Sequence, residues 1–218
     1  MKITKYPESC LLIETKGKKI LIDPGVLKYK EEYFDIWSKV DAICVTHKHS
    51  DHCNVELLEK LGENIKIYSS SEVKNTYPQL NINIVKENDV ITVGDVKIEV
   101  VHAEHGYLPP MKNGGKVIEN IGYIVDDGET RVYATSDTIC FQNEYKCDIL
   151  CAPVSDNGVV MGPFEVALFA KEAGAKLIIP VHNDSPNYPV DFEYVKSVFE
   201  KNEVDYEILE NGESIEIE

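Results

Sequence analysis

Short apolar runs separated by turn residues dominate the first quarter of the chain. Apolar positions recur over residues 10–15 and again over residues 19–23, on either side of Lys16-Gly17-Lys18. This pattern is typical of a β-hairpin. Asp23-Pro24-Gly25 ends the second run, because proline lacks the N–H that a ladder needs and glycine permits a sharp turn. We therefore predict a hairpin that ends at Asp23.

The same criteria predict further strands and helices along the chain. Strands are predicted over 41–46, 65–68, 82–85, 90–93, 96–101, 121–125, 131–134, 149–152, 177–181 and near 206–209. Helices are predicted over 55–61, 163–173 and 191–201, with a short one after the serines at 69–71. Strands come first and then alternate with helices, which favours an α/β (α+β) fold. We expect a four-layer αββα sandwich of two mixed sheets flanked by helices, forming one domain over residues 1–218.

The composition limits the classes of partner that we expect this protein to bind. The formal net charge of −16 would repel phosphate backbones, so we expect no nucleic-acid partner and no anionic membrane partner. The N-terminus lacks the apolar core of a signal peptide, and no run approaches the roughly 20 apolar residues of a membrane span. The six cysteines form no Cys-x-x-Cys pair, which favours reduced thiols and a cytoplasmic location. Homo-oligomer formation stays open.

The strongest chemical signal is the segment Thr46-His47-Lys48-His49-Ser50-Asp51-His52. Imidazole and carboxylate are preferred ligands of borderline divalent metals. Alternate residues of an extended segment point the same way, so His47 and His49 could reach one metal. Asp51 and His52 could reach a second metal after the chain turns. Cys53 follows directly, as a small neighbour of the site or, alternatively, as a ligand or an oxidisable thiol.

The other three histidines and one aspartate also follow apolar strands. His102 and His105 come after the strand at 96–101, Asp137 after the strand at 131–134, and His182 after the strand at 177–181. Side chains from separate strand ends build many active sites. We therefore expect these ends to converge with the first histidine cluster.

These residues together resemble the metallo-β-lactamase-fold hydrolases. His47-x-His49-x-Asp51-His52 resembles the metal signature of that family, and Asp23-Pro24-Gly25 resembles its early turn beside the site. Further motifs resemble the branch that includes L-ascorbate-6-phosphate lactonase and N-acyl-phosphatidylethanolamine phospholipase D. They are Ala103-Glu104-His105, Ser136-Asp137-Thr138, Met161-Gly162-Pro163 and Pro180-Val181-His182.

The resemblance implies a ligand set and a few departures. One metal would be held by His47, His49 and His105, a second by Asp51, His52 and His182, with Asp137 between the two. His102 has no strict counterpart and is interpreted as structural or as a neighbour of the ligands, with exchange against His105 as an alternative. Ser136 replaces the usual glycine, and Glu8-Ser9 stands where many relatives carry His-Ser.

The implied activity is hydrolysis by metal-bound hydroxide on a small-molecule ester, lactone or phosphoester. Asp51 would be the catalytic residue, and zinc the first choice of metal, with manganese or iron as alternatives. Tyr107 and Met111, in the loop at 106–119, are predicted walls of the substrate pocket. Two other functions stay open: a phosphodiesterase acting on a lipid or nucleotide, and a non-hydrolytic metal-binding sensor or redox module.

Overall fold

Two mixed β-sheets form the centre of the protein. The structure, a computed structural model, describes residues 1–111 and 115–217. The first sheet contains β1 (Lys2–Lys5), β2 (Leu11–Thr15), β3 (Lys18–Ile22), β4 (Ala42–Cys44), β5 (Lys66–Ser69), β6 (Ile82–Ile84) and β13 (Ser214–Glu216). The second contains β7 (Val90–Val93), β8 (Val96–His102), β9 (Ile121–Asp126), β10 (Arg131–Ala134), β11 (Ile149–Pro153) and β12 (Leu177–Val181). The strand orders are β13-β1-β2-β3-β4-β5-β6 and β12-β11-β10-β9-β8-β7.

Strand alternation divides the apolar residues between two faces of each sheet. In β2, Leu11 and Ile13 pack between the sheets, whereas Leu12 packs on the outer face. In β3, Ile20 likewise faces the other sheet and Leu21 faces outward. Because both faces are buried, both must be covered by another layer.

In the described part of the chain, five α-helices cover the outer faces of the two sheets. On the first sheet lie α1 (Glu31–Trp37), α2 (Val55–Leu61) and α3 (Ser71–Thr76), and on the second α4 (Pro163–Ala173) and α5 (Phe192–Lys201). Each outer layer has its own apolar cluster, which includes Trp37 and Leu58 on one side and Phe169 and Phe199 on the other. The predicted αββα sandwich of two mixed sheets is confirmed. Among the described residues, no helix is long and apolar enough to cross a membrane.

Four elements differ from the sequence predictions. The sequence does not predict β1, α1 or β13. The predicted strand near 206–209 is wrong, because Tyr206 makes only an isolated bridge to Ile178. The last strand is β13, which pairs with β1 at the edge of the first sheet. Its register is set by a partner more than 200 residues away along the chain, which local sequence patterns cannot reveal.

Candidate metal centre

Seven side chains from four segments converge in two adjoining groups. Within each group, the atoms that could bind a metal lie within 4.8 Å of one another. The first group is His47, His49 and His105, and the second is Asp51, His52, Asp137 and His182. The ring centres of His47 and His52 are 4.1 Å apart, so the groups adjoin. The structure thus brings together all seven residues that the sequence predicts as ligands.

Sheet topology explains this convergence. The segment at 47–52 follows β4, and His105, Asp137 and His182 follow β8, β10 and β12. Strands β10 and β12 are both parallel to β11, and two antiparallel steps through β9 give β8 the same direction. The carboxyl ends of these three strands therefore lie at one edge of the second sheet, beside the end of β4.

Backbone carbonyls orient two histidines of the first group. His49 Nε2 lies 2.7 Å from the carbonyl oxygen of Gly115, and His105 Nδ1 lies 2.7 Å from that of Gly106. A carbonyl oxygen only accepts, so these two nitrogens carry the protons. In the neutral form of each ring, His49 Nδ1 and His105 Nε2 are therefore the nitrogens with a free lone pair, which a metal requires.

Asp23 orients a histidine in each group, directly or through Thr46. One oxygen of its carboxylate accepts from the Thr46 N–H at 2.8 Å. The other accepts from the Thr46 hydroxyl at 2.7 Å and lies 2.7 Å from His52 Nδ1. The Thr46 hydroxyl, having donated to Asp23, accepts from His47 Nδ1 at 3.1 Å. His47 and His52 therefore both direct Nε2 inward.

Several buried ligand atoms have no other partner. Among the described residues, His47 Nε2, His52 Nε2 and Asp137 Oδ1 are buried without a hydrogen bond. His52 Nε2 and Asp137 Oδ1 are only 3.2 Å apart, yet they lack hydrogen-bond geometry. Buried polar atoms are seldom left unpaired, because each costs the full penalty of desolvation. Imidazole nitrogens and carboxylate oxygens that converge in this way fit a bound divalent cation.

The two groups differ in electrostatics. Burial lowers the pKa of His47 and of His105 below its ordinary value. Burial also lowers the pKa of His52 and of His182. The surrounding carboxylates, of which Asp137 has the largest effect, outweigh burial and hold the pKa of each histidine well above its ordinary range. Burial opposes the charged form of Asp137, but His182 and His52 hold its pKa well below its ordinary range. A cation entering the second group therefore has to displace protons from histidine.

Strained backbone surrounds the site. Asp23, Ser136 and His182 all have a positive φ, of 50°, 67° and 51°. Such conformations cost free energy in residues other than glycine and cluster at functional sites. Ser136, which replaces the glycine of the family motif, adopts a conformation that glycine enters freely, so the turn before Asp137 does not depend on glycine. Its hydroxyl donates to Asn120 Oδ1 at 2.9 Å.

Two residues that the sequence singled out lie outside both groups. His102 is partly exposed, with its ring nitrogens 3.5 Å from Glu87 and 3.1 Å from Glu104. Cys53 is buried in the apolar cluster under the helices of the first sheet, and burial raises the pKa of its thiol to about 12. A thiol with so high a pKa stays protonated and is a poor ligand.

The loop at 106–119 contacts the site, as the His49–Gly115 contact shows. The carboxylate of Glu72, in α3, accepts from the N–H groups of Ile118 and Glu119 at 2.8 and 2.9 Å and anchors the end of the loop. Tyr107 is half exposed. Residues 112–114 lie outside the described part of the chain, and the assignment of Tyr107 and Met111 to the pocket wall stays a prediction.

Sequence reasoning did not assign two contributors to this site. The sequence places Asp23 in a turn beside the site, but it does not predict that the Asp23 carboxylate contacts both Thr46 and His52. Glu8 was noted only as a departure from the family motif, yet it is buried against His182, 3.6 Å from Nδ1. A charged residue in a short turn usually indicates an exposed position, so the local sequence does not reveal that Glu8 is buried.

The fold and the site together define a class of protein. Two mixed sheets flanked by helices, with histidines and aspartates gathered at the strand ends, are the architecture of the metallo-β-lactamase-like metal-dependent hydrolases. The sequence model of the β-lactamase superfamily domain matches residues 2–182. A metallo hydrolase from Ignicoccus hospitalis, Igni18, has a similar structure, with a TM-score of 0.79 at 21% identity over 100% of this chain and 99% of that one.

Curated relatives assign the chain to one family within this superfamily. It is 31% identical to a UPF0173 metal-dependent hydrolase from Bacillus thuringiensis (strain Al Hakam), over 99% of each chain. It is 28% identical to a UPF0173 metal-dependent hydrolase from Nanoarchaeum equitans (strain Kin4-M), over the full length of both. The chain therefore belongs to the β-lactamase superfamily and, within it, to the UPF0173 metal-dependent hydrolases.

Proposed function

We propose that this hydrolase is dinuclear and acts on a small-molecule ester, lactone or phosphoester. One cation would be held by His47, His49 and His105, and the other by Asp51, His52 and His182, with Asp137 between them. The observation that carries the proposal is the pair of adjoining ligand groups, in which His47 Nε2, His52 Nε2 and Asp137 Oδ1 are buried without a hydrogen-bond partner among the described residues. Zinc is the proposed metal, with manganese or iron as alternatives, because His/Asp sets accept all three.

Bound divalent cations would acidify water to near-neutral pKa and polarise the substrate oxygen. The chain's own contribution to proton transfer is assigned to Asp51. It is the most exposed member of the second group, and one of its oxygens lies 3.5 Å from His182 Nε2. Burial raises the pKa of Asp51, but the attraction of His52 and of His182 outweighs burial and lowers that pKa. Asp51 is therefore ionised at neutral pH, ready to accept a proton and pass it to the leaving group.

The substrate class rests on the motifs and on charge. The motifs around His105, Asp137 and His182 resemble those of the lactonase and phospholipase D branch. The net charge of −16 disfavours polyanionic substrates. Exposed apolar side chains occur beside the ligand segments: Val26, whose N–H donates to Ser50, and Tyr107, two residues after His105. These side chains favour a substrate with an apolar portion, and a lipid or nucleotide phosphodiester is the second candidate.

Metal analysis and an activity screen test the proposal together. Protein purified without chelator should contain about two equivalents of divalent metal, as measured by elemental analysis. The zinc, manganese and iron forms would then be screened in parallel against lactones, carboxylic esters, thioesters, phosphomonoesters and lipid or nucleotide phosphodiesters. A stoichiometry of one or zero after reconstitution would refute the dinuclear model. Turnover confined to phosphodiesters would select the second candidate, and a blank screen of fully loaded protein would favour a sensor or redox role.

A further inference from the structure

Glu8 is a buried acid that the proposed chemistry does not use. It lies in the turn between β1 and β2, is only 1% exposed, and has a positive φ of 56°. Among the described residues, neither of its carboxylate oxygens has a hydrogen-bond partner. Burial raises the pKa of the Glu8 carboxyl, and the positive charge of the neighbouring His182 opposes that rise.

The backbone of Glu8 is joined to the segment that carries His182. The His182 N–H donates to the Glu8 carbonyl oxygen at 3.0 Å, and the Glu8 N–H donates to Asp184 Oδ2 at 3.0 Å. The same Asp184 oxygen accepts from the buried Lys5 ammonium at 2.8 Å. The turn is therefore held against His182 from both sides, and the Glu8 side chain has little freedom to leave.

The Glu8 carboxylate lies behind His182 as Asp23 lies behind His52. Glu8 Oε2 is 3.6 Å from His182 Nδ1, and Asp23 Oδ2 is 2.7 Å from His52 Nδ1. In both pairs the opposite nitrogen, Nε2, faces Asp137, at 3.1 Å for His182 and 3.2 Å for His52. A carboxylate behind a metal-binding histidine strengthens it as a ligand, as Asp23 does within hydrogen-bond distance and Glu8 would do through its negative charge.

Charge balance points the same way. Four carboxylates belong to the second group or lie against its histidines: Asp51, Asp137, Asp23 and Glu8. In their ionised forms they carry a charge of −4, which would offset the +4 of two divalent cations. With the cations bound, Glu8 would face a histidine that holds one of them.

We propose that Glu8 is a positioning residue for the second metal, acting through His182 Nδ1 and through its charge. The inference rests on the dinuclear function proposed above. Glu8→Gln keeps the shape of the side chain and removes the charge. It should weaken zinc binding at one of the two sites by about 10–100-fold and leave the other unchanged. Competition with a chromophoric chelator measures both affinities.

A second measurement separates this role from a purely structural one. A neutral amide is easier to bury than an unpaired carboxylate, so metal-free Glu8→Gln should unfold at the same temperature as wild type or higher. Its thermal stabilisation by zinc should be smaller. Asp127→Asn is the matched control. Asp127 is also a buried acid, but it lies in the turn between β9 and β10 and accepts a hydrogen bond from Thr15 at the end of β2. It should lower stability and leave both zinc affinities unchanged.

Ser155 provides the competing explanation, since its hydroxyl is 3.1 Å from His182 Nδ1. Ser155→Ala should weaken zinc binding less than Glu8→Gln does. Unchanged affinity at both sites in Glu8→Gln, or full loss in Ser155→Ala alone, would overturn the assignment of Glu8. If wild-type protein itself binds fewer than two zinc ions, the dinuclear proposal fails instead, so the two failures are distinguishable.

Discussion

Replacing Gly25 by alanine should disable the second ligand group without touching a ligand. Gly25 follows Asp23-Pro24 and packs directly on the backbone of Asp51. A Cβ at this position would lie 1.8 Å from the Asp51 carbonyl oxygen and 2.2 Å from its carbonyl carbon. Real Cβ contacts stay above 3.0 Å, so the two segments would have to separate by more than about 1 Å.

Two hydrogen bonds join these segments, and their loss contributes to the expected decrease in the free energy of unfolding. The Val26 N–H donates to the Ser50 carbonyl oxygen at 2.8 Å, and the Asn54 N–H donates to that of Pro24 at 2.9 Å. Losing both costs about 1 kcal/mol each, and overpacking adds about 1–3 kcal/mol. We therefore expect Gly25→Ala to lower the free energy of unfolding by roughly 3–5 kcal/mol. A shift of about 1 Å at Asp51 should also reduce turnover by about 100-fold.

Urea denaturation of the metal-free protein and zinc titration of the folded protein would measure these effects. Gly17→Ala is the matched control: an added Cβ meets nothing within 4 Å there, although its φ of +69° makes alanine locally strained. The control should lose only about 1 kcal/mol and bind zinc normally. The reasoning is refuted if Gly25→Ala is no less stable than Gly17→Ala and binds two zinc ions with wild-type affinity.

Three further predictions concern the ligands and their partners. Asp137→Asn should weaken retention of both metals by about tenfold or more, as measured by chelator competition, and loss of only one would argue against its bridging position. Asp23→Asn should cost about 1–3 kcal/mol of stability in urea denaturation, because its amide cannot accept every bond that the carboxylate accepts. It should weaken the zinc site of His52 most and that of His47 less, since Asp23 reaches His47 only through Thr46; an unchanged affinity at the site of His52 would contradict its role behind that histidine. Metal-free protein should lose stability as the pH rises above 6.5. The pKa values of His52 and His182 are raised in the folded protein, so the stability that these protonated histidines contribute is complete only below their pKa in the unfolded chain. Zinc-loaded protein should show the opposite trend, since zinc displaces those protons, and parallel pH profiles in urea denaturation would contradict this prediction.

The sequence predicts all four strands whose ends deliver the ligands (β4, β8, β10 and β12), because these strands are short, apolar and bounded by turn residues. It does not predict α1. That helix is seven residues long, lacks a side-chain cap at Lys30, and buries only Tyr33 and Trp37. Its stability comes from aromatic contacts, including those of both residues with Tyr6 on the β1–β2 turn. Contacts between distant segments are invisible to a local pattern.

Local patterns in the sequence predicted two mixed sheets covered by helices and placed histidines and aspartates at four strand ends, since periodicity and spacing are properties of neighbouring residues. The resemblance to a known family then implied which seven of them are ligands. Only the tertiary structure decided which residues lie behind those ligands. Asp23 contacts His52 across 29 positions, Gly115 contacts His49 across 66, and Glu8 lies behind His182. Burial of a carboxylate depends on which distant segments close over it. The residues that contact the candidate ligands from behind therefore depend on how the sheets and loops pack together, and the local sequence does not reveal them.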